Sequence, residues 1–144
     1  LRRLFDASVA LGDILYDDGP VVTGSWFGGI NEEGRIDAPV PVSGRPTPGS
    51  LWAVVRRGSQ RTTVQLIDLS DQHDIDWNRG KEPLRERTGV QLAIASPAEA
   101  AVTFTAPTVG CRTQRLPTVR EGEHLRAELP PFTGWAVATF ATDI

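Results

Sequence analysis

The stretch covering residues 51–69, LWAVVRRGSQRTTVQLIDL, constrains the fold more than any other part of the chain. Two apolar, β-branched runs, at residues 51–55 and 62–69, flank Gly58-Ser59-Gln60. Runs of this length joined by a short Gly-containing link predict a β-hairpin. Arg56, Arg57 and Arg61 keep its turn end in water. Apolar residues fall on both faces of both strands, the pattern of a central pair covered on two sides.

Around the hairpin the chain is punctuated by turn residues rather than by helices. Residues 1–18, LRRLFDASVALGDILYDD, are the one good helical stretch. Leu4, Ser8, Leu11 and Leu15 share a face there, with Leu1, Phe5 and Ile14 beside it. Asp17-Asp18-Gly19-Pro20 ends the pattern. A helix this short needs a packing partner. Residues 19–50 are rich in Gly and Pro and read as a connector carrying one or two short strands, at 21–26 and 35–42. Residues 70–88, SDQHDIDWNRGKEPLRERT, read as a long polar surface loop.

Beyond that loop the period-2 alternation resumes. Val90, Leu92 and Ile94 form one strand, Val102 and Phe104 another, and residues 112–116 a third. In residues 124–129, Leu125, Ala127 and Leu129 point inward and the charged residues outward. Residues 135–140 form the last strand, with turns at 96–99 and 120–123 and a stop at Pro130-Pro131. The pattern predicts an all-β domain: an antiparallel β-sandwich of about seven to nine strands, Greek-key or immunoglobulin-like, with one N-terminal helix. Its sandwich domain spans residues 51–144. A chain of 144 residues is long enough to bury the core such a domain needs.

Several function classes find no support. The net charge is −3, and there is no aromatic-basic stripe for nucleic acid. No apolar run approaches the ~20 residues of a membrane-spanning helix, and no signal peptide is visible. The lone Cys111 leaves no intrachain disulfide and no cysteine-rich metal site. A chain that starts at Leu1 and contains no methionine is expected to be a piece of a longer polypeptide. His73 and His124 lie far apart, and no nucleophile elbow, phosphate loop or HExxH motif occurs. No spacing among the acidic residues selects a catalytic pair, so no catalytic residue is assigned.

Two constellations stand as binding candidates. Asp68, Asp71, Asp74, Asp76 and Asn78 form an oxygen-rich run of the kind calcium takes. It lacks the central Gly and closing Glu of an EF-hand, so a solvated acidic loop is favoured and no cofactor is expected; Asp71, Asp74 and Asp76 are the fallback calcium ligands. Sugar binding rests on tryptophan, because pyranose C–H groups favour the negative face of an indole. Trp52 and Trp135 begin strands and are expected in the core. Trp77, next to Asn78 and Arg79 in the polar loop, and Trp26, in a Gly-rich stretch, are the candidates for exposure. Of these, Trp77 is expected to anchor a domain interface rather than a sugar.

The order of short motifs resembles the C-terminal β-sandwich of glycoside hydrolase family 66, the dextranases and cycloisomaltooligosaccharide glucanotransferases. That family carries a strand of the form H-[LI]-I-N-L, a polar loop with a Trp-[Arg/Asn] pair, and then a Pro. Here the strand reads VQLIDL over residues 64–69, followed by Trp77-Asn78 and Pro83. Gln65 and Asp68 stand where the family has His and Asn. Ser96-Pro97-Ala98-Glu99 is similar to the family's S-P-[DE] turn, and Leu129-Pro130-Pro131-Phe132-Thr133-Gly134-Trp135 to its closing run. The resemblance covers residues 50–140, and similar terminal sandwiches occur in other glycosidase families. It implies an accessory, non-catalytic domain of a secreted bacterial enzyme acting on α-glucan. Its partner would be the catalytic (β/α)8 barrel of the same polypeptide, with residues 1–18 as the end of that barrel or a linker. A carbohydrate-binding module and a protein–protein adhesion module are the alternatives.

Overall fold

The computed structural model describes residues 9, 11–15, 19–26, 33–76, 78–96 and 100–142. They form an all-β sandwich. Among the described residues the larger sheet has six strands, the smaller has four, and two further strands make a ribbon.

The hairpin forms as predicted. Strands β3 (Leu51–Arg57) and β4 (Arg61–Asp68) pair from Leu51 opposite Asp68 to Arg57 opposite Thr62. The Gly58 N–H donates to the Arg61 carbonyl at 2.8 Å to close the turn. The last strand, β12 (Trp135–Thr142), lies between β4 and β7 (Ala100–Thr105), so four apolar strands, β3, β4, β12 and β7, occupy the middle of the sheet. Their inward residues, Leu51, Ala53 and Val55, Val64 and Leu66, Ala136, Ala138 and Phe140, and Val102 and Phe104, are all buried. β8 (Gln114–Leu116) flanks β7 at one edge.

The facing sheet completes the core. β6 (Gln91–Ala95) pairs with β1 (Gly34–Asp37) on one side and with β10 (His124–Glu128) on the other. Leu92 and Ile94, Leu125 and Ala127, and Ile36 close the space between the layers. β9 (Val119–Glu121) forms the outer edge against β10. The ribbon of β5 (Glu86–Arg87) and β11 (Phe132–Thr133) sends Phe132 into the core, where its ring meets that of Phe104 at 6.5 Å and a tilt of 53°.

Several expectations are revised. Residues 21–26 do not form a strand. Val21 makes a single antiparallel bridge to Arg56, and η1 (Thr23–Trp26) then turns the chain inward. The Thr23 hydroxyl accepts a hydrogen bond from the Val55 N–H at 3.0 Å, and that side-chain contact replaces the ladder bond a strand would make. The strand expected over 35–42 is split. β1 stops at Asp37, and β2 (Val42–Ser43) joins the other sheet parallel to β3. Pro39 and Pro41 lie between them and have no N–H to continue a ladder. Of the helix expected over residues 1–18, the described part is α1 (Gly12–Leu15), preceded by the buried Leu11. Leu1, Leu4, Phe5 and Ser8 lie outside the described residues, as do residues 97–99 of the Ser96 turn.

Candidate functional site

The expectation of two covered faces holds only in part on the outward side of the large sheet, where Thr63 and Val137 are buried while Trp52, Ile67 and Trp135 are half-buried. Along β3 the inward residues leave Trp52 and Val54 pointing out, and along β12 they leave Trp135 and Val137. Strand register places Trp52 opposite Ile67, and Ile67 opposite Trp135. The two tryptophans therefore sit at the ends of one cross-strand row, two strand spacings or about 9.5 Å apart. Trp52, Ile67 and Trp135 are each half-buried. Both tryptophans were expected in the core. The correction is one of position: Trp52 is out of phase with the buried Leu51, Ala53 and Val55, and Trp135 opens β12 ahead of residues 136–140, which are buried on both faces.

This row floors a groove of about 720 Å³. The loop after β4 forms one wall, with Gln72, Asp74, Ile75, Lys81, Glu82 and Leu84, and Pro46 and Pro107 also reach the groove. Ile75 is 51% exposed and Leu84 55% exposed, unusual for large apolar side chains. Leu84 lies over Gly134, the residue before Trp135. A Cβ there would come within 2.8 Å of Leu84 Cδ1, and Gly134 has φ +76°, in the left-handed region that glycine tolerates.

Three clasps give the wall its shape. In the first, the Asp68 carboxylate at the end of β4 accepts from Arg87 Nε at 2.8 Å and from the Ser70 N–H at 3.0 Å. Arg87 also donates to the Ser70 hydroxyl and approaches Asp71 at 3.6 Å. In the second, the buried Gln72 side chain donates to the Glu82 carbonyl at 3.1 Å and accepts from the Glu82 N–H at 3.2 Å, the two bonds of a backbone bridge made by one amide. In the third, the Lys81 ammonium donates to the Asp74 carboxylate and, at 3.3 Å, to the Asp74 carbonyl. The hydrogen bond from Lys81 holds the Asp74 carboxyl below the usual aspartate range, helped by the Asp76 N–H and opposed by partial desolvation.

The candidate residues fare differently. Trp26, a candidate for an exposed stacking face, is 3% exposed and belongs to the core. The η1 turn lays its indole over Gly34, where a Cβ would fall 2.4 Å from the ring, and against Phe140 at a centroid distance of 6.4 Å. It therefore offers no platform to a sugar. Trp77 lies outside the described residues; Asn78 and Arg79 follow it on the exposed loop tip, with Arg79 paired to Asp76 at 3.2 Å. The oxygen-rich run does not converge. Asp71 faces Arg87, Asp74 faces Lys81, and Asp76 faces Arg79. Among the described residues no group of three or more His, Cys, Asp or Glu is placed to hold an ion together. His73 borders a separate hollow of about 410 Å³ that shares Gln72 and Glu82 with the groove, and His124 lies on the outward face of β10.

With the fold and groove described, comparison with known proteins finds likeness of fold alone. No protein-family profile matches it, and no curated protein does. Solved structures share the fold. One is the cycloisomaltooligosaccharide glucanotransferase of Paenibacillus sp. in complex with cycloisomaltoheptaose. It matches with TM-score 0.63 and 24% identity over 72% of this chain and 16% of that one. Another is alpha-L-fucosidase isoenzyme 2 of Paenibacillus thiaminolyticus, with TM-score 0.51 and 11% identity over 81% of this chain and 16% of that one. At these identities the likeness is one of fold, and this chain spans 16% of the length of each enzyme.

Proposed function

We propose that this chain is the accessory, non-catalytic β-sandwich of a secreted glycoside hydrolase acting on α-glucan, and that it packs against the catalytic (β/α)8 barrel and stabilises it. One observation carries the reading: the fold recurs as a 16% segment of two much larger carbohydrate-active enzymes. The short motifs at residues 64–69, 77–78 and 129–135 support the same assignment. Asp68, Asp74 and Asp76 are each paired with a cation, which suits a structural role better than acid–base chemistry. Trp77, Asn78 and Arg79, consecutive in the polar segment, are the residues assigned to the barrel interface.

The test is calorimetry of the parent enzyme with and without residues 1–144. Removal of the sandwich is expected to lower the melting temperature of the barrel while the reaction chemistry stays intact. An unchanged barrel transition would refute the stabilising role.

A further inference from the structure

The groove over Trp52 and Trp135 is used by none of the roles above. Its shape argues for a ligand that enters it. Small-molecule sites are concave, mostly apolar, and carry a few fixed polar groups, with volumes of roughly 300–1,000 Å³. This groove measures about 720 Å³ and has an apolar floor of Trp52, Ile67 and Trp135. Its polar groups sit on one wall, where the Asp74–Lys81 pair and Glu82 are held by the clasps of the loop.

We propose that this groove is a gluco-oligosaccharide site, with pyranose rings on the Trp52 and Trp135 indoles and their hydroxyl edges turned to Asp74 and Lys81. A sugar ring has the same two-sidedness as the groove. Its C–H face is apolar and favours an aromatic floor, and its rim is a belt of hydroxyls that both donate and accept. Trp52 and Trp135 are about 9.5 Å apart by strand spacing, so one linked chain spans both and neither indole must carry the affinity alone. Lys81 supplies donors and the Asp74 carboxylate supplies acceptors, a set that suits a hydroxyl-bearing ligand better than an anion. Asp68–Arg87 ties the loop to the end of β4 and Gln72–Glu82 ties two parts of the loop to each other, so the polar wall is organised before the ligand arrives. The choice of an α-linked glucan rests on the function proposed above; the site itself does not.

The experiment is a two-dimensional NMR titration of the 144-residue chain with isomaltoheptaose, and separately with the β-linked cellohexaose. The expected result is a saturable shift of the Trp52 and Trp135 indole N–H signals and of the Ile67 and Leu84 amides, with the buried Trp26 indole unmoved. Trp52→Ala and Trp135→Ala should each weaken binding by about tenfold, the effect of losing roughly 1.4 kcal/mol of stacking. Lys81→Gln, which leaves the floor intact, should weaken it less and serves as the variant with the least risk to folding. Saturable binding of cellohexaose alone would uphold the site and overturn the α-glucan reading. No shift with either sugar, or shifts confined to the 78–79 tip, would overturn the proposal and leave the groove as a docking face for protein.

Discussion

Asp68, the last residue of β4, accepts a hydrogen bond from Arg87 of β5 at 2.8 Å, and the two side chains are only 5% and 14% exposed. This pair ties the start of the polar loop to its end, 19 positions along the chain. Removing one partner of a buried pair leaves an uncompensated charge, which costs about 3–5 kcal/mol. Arg87→Ala is therefore expected to destabilise the domain by about 3 kcal/mol, near the lower end because Arg87 retains some solvent. Urea unfolding measures this. In the double variant with Asp68→Ala, the combined loss should be smaller than the sum of the single losses. Simple additivity would show that the pair is not coupled.

The core assignment is checked by truncation. Phe104 and Leu125 are almost fully buried, one on each sheet, and Phe104 stacks at an angle on Phe132. Phe104→Ala and Leu125→Ala should each cost about 2–5 kcal/mol, the transfer and cavity terms together. Unchanged melting temperatures in both variants would mean that the inward faces of β7 and β10 are wrongly assigned.

Gly34 offers a sharper test, because a single methyl group decides it. A Cβ at that position would sit 2.4 Å from the Trp26 ring, so the indole has to move or the strand has to bend. Gly34→Ala is expected to cost about 1–3 kcal/mol, as overpacking does, and to red-shift the emission of Trp26 as its ring is pushed toward water. Gly80→Ala, where the added atom meets nothing within 4 Å, is the matching control.

The Asp74–Lys81 clasp predicts a pH response. Lys81 lowers the folded-state pKa of Asp74 below that of an unfolded aspartate. A depressed carboxyl contributes stability that is present above the unfolded pKa and is lost as the pH falls through the folded one. The contribution is therefore complete at neutral pH and disappears only in acid. Carbon-detected NMR should place the Asp74 midpoint below that of a free aspartate, and Lys81→Met should raise it. A midpoint that stays put in the variant would remove the hydrogen bond as the cause.

Much of the fold was legible in the sequence, and particular residues show where legibility ended. The strands at Leu92, Phe104 and Leu125 announce themselves through apolar alternation, and the hairpin and the strand at Val137 through apolar runs on both faces. β9 does not, because Val119, Arg120 and Glu121 are all exposed and carry no alternation to detect. The 70–88 segment read as plain loop because β5 is only two residues long. The groove was half-visible: the parity of Leu51, Ala53 and Val55 already puts Trp52 on the opposite face. Treating a strand-initial Trp as core overrode that signal. Trp26 misled in the other direction. Its Gly-rich flanks suggest exposure, yet a glycine in sequence reach, Gly34, is what lets the indole lie flat on the backbone. The Asp68–Arg87 and Gln72–Glu82 clasps have no local signature, since any of several charged and amide residues in the loop serves equally well until the fold selects a pair.

The central claim, that this sandwich serves an enzyme without carrying its chemistry, is tested most directly by incubating the purified 144-residue chain with dextran and with starch and measuring released reducing ends. The account predicts none above the background of a mock preparation. Turnover that co-purifies with the chain and vanishes on a point substitution of one of its own acidic residues would contradict it.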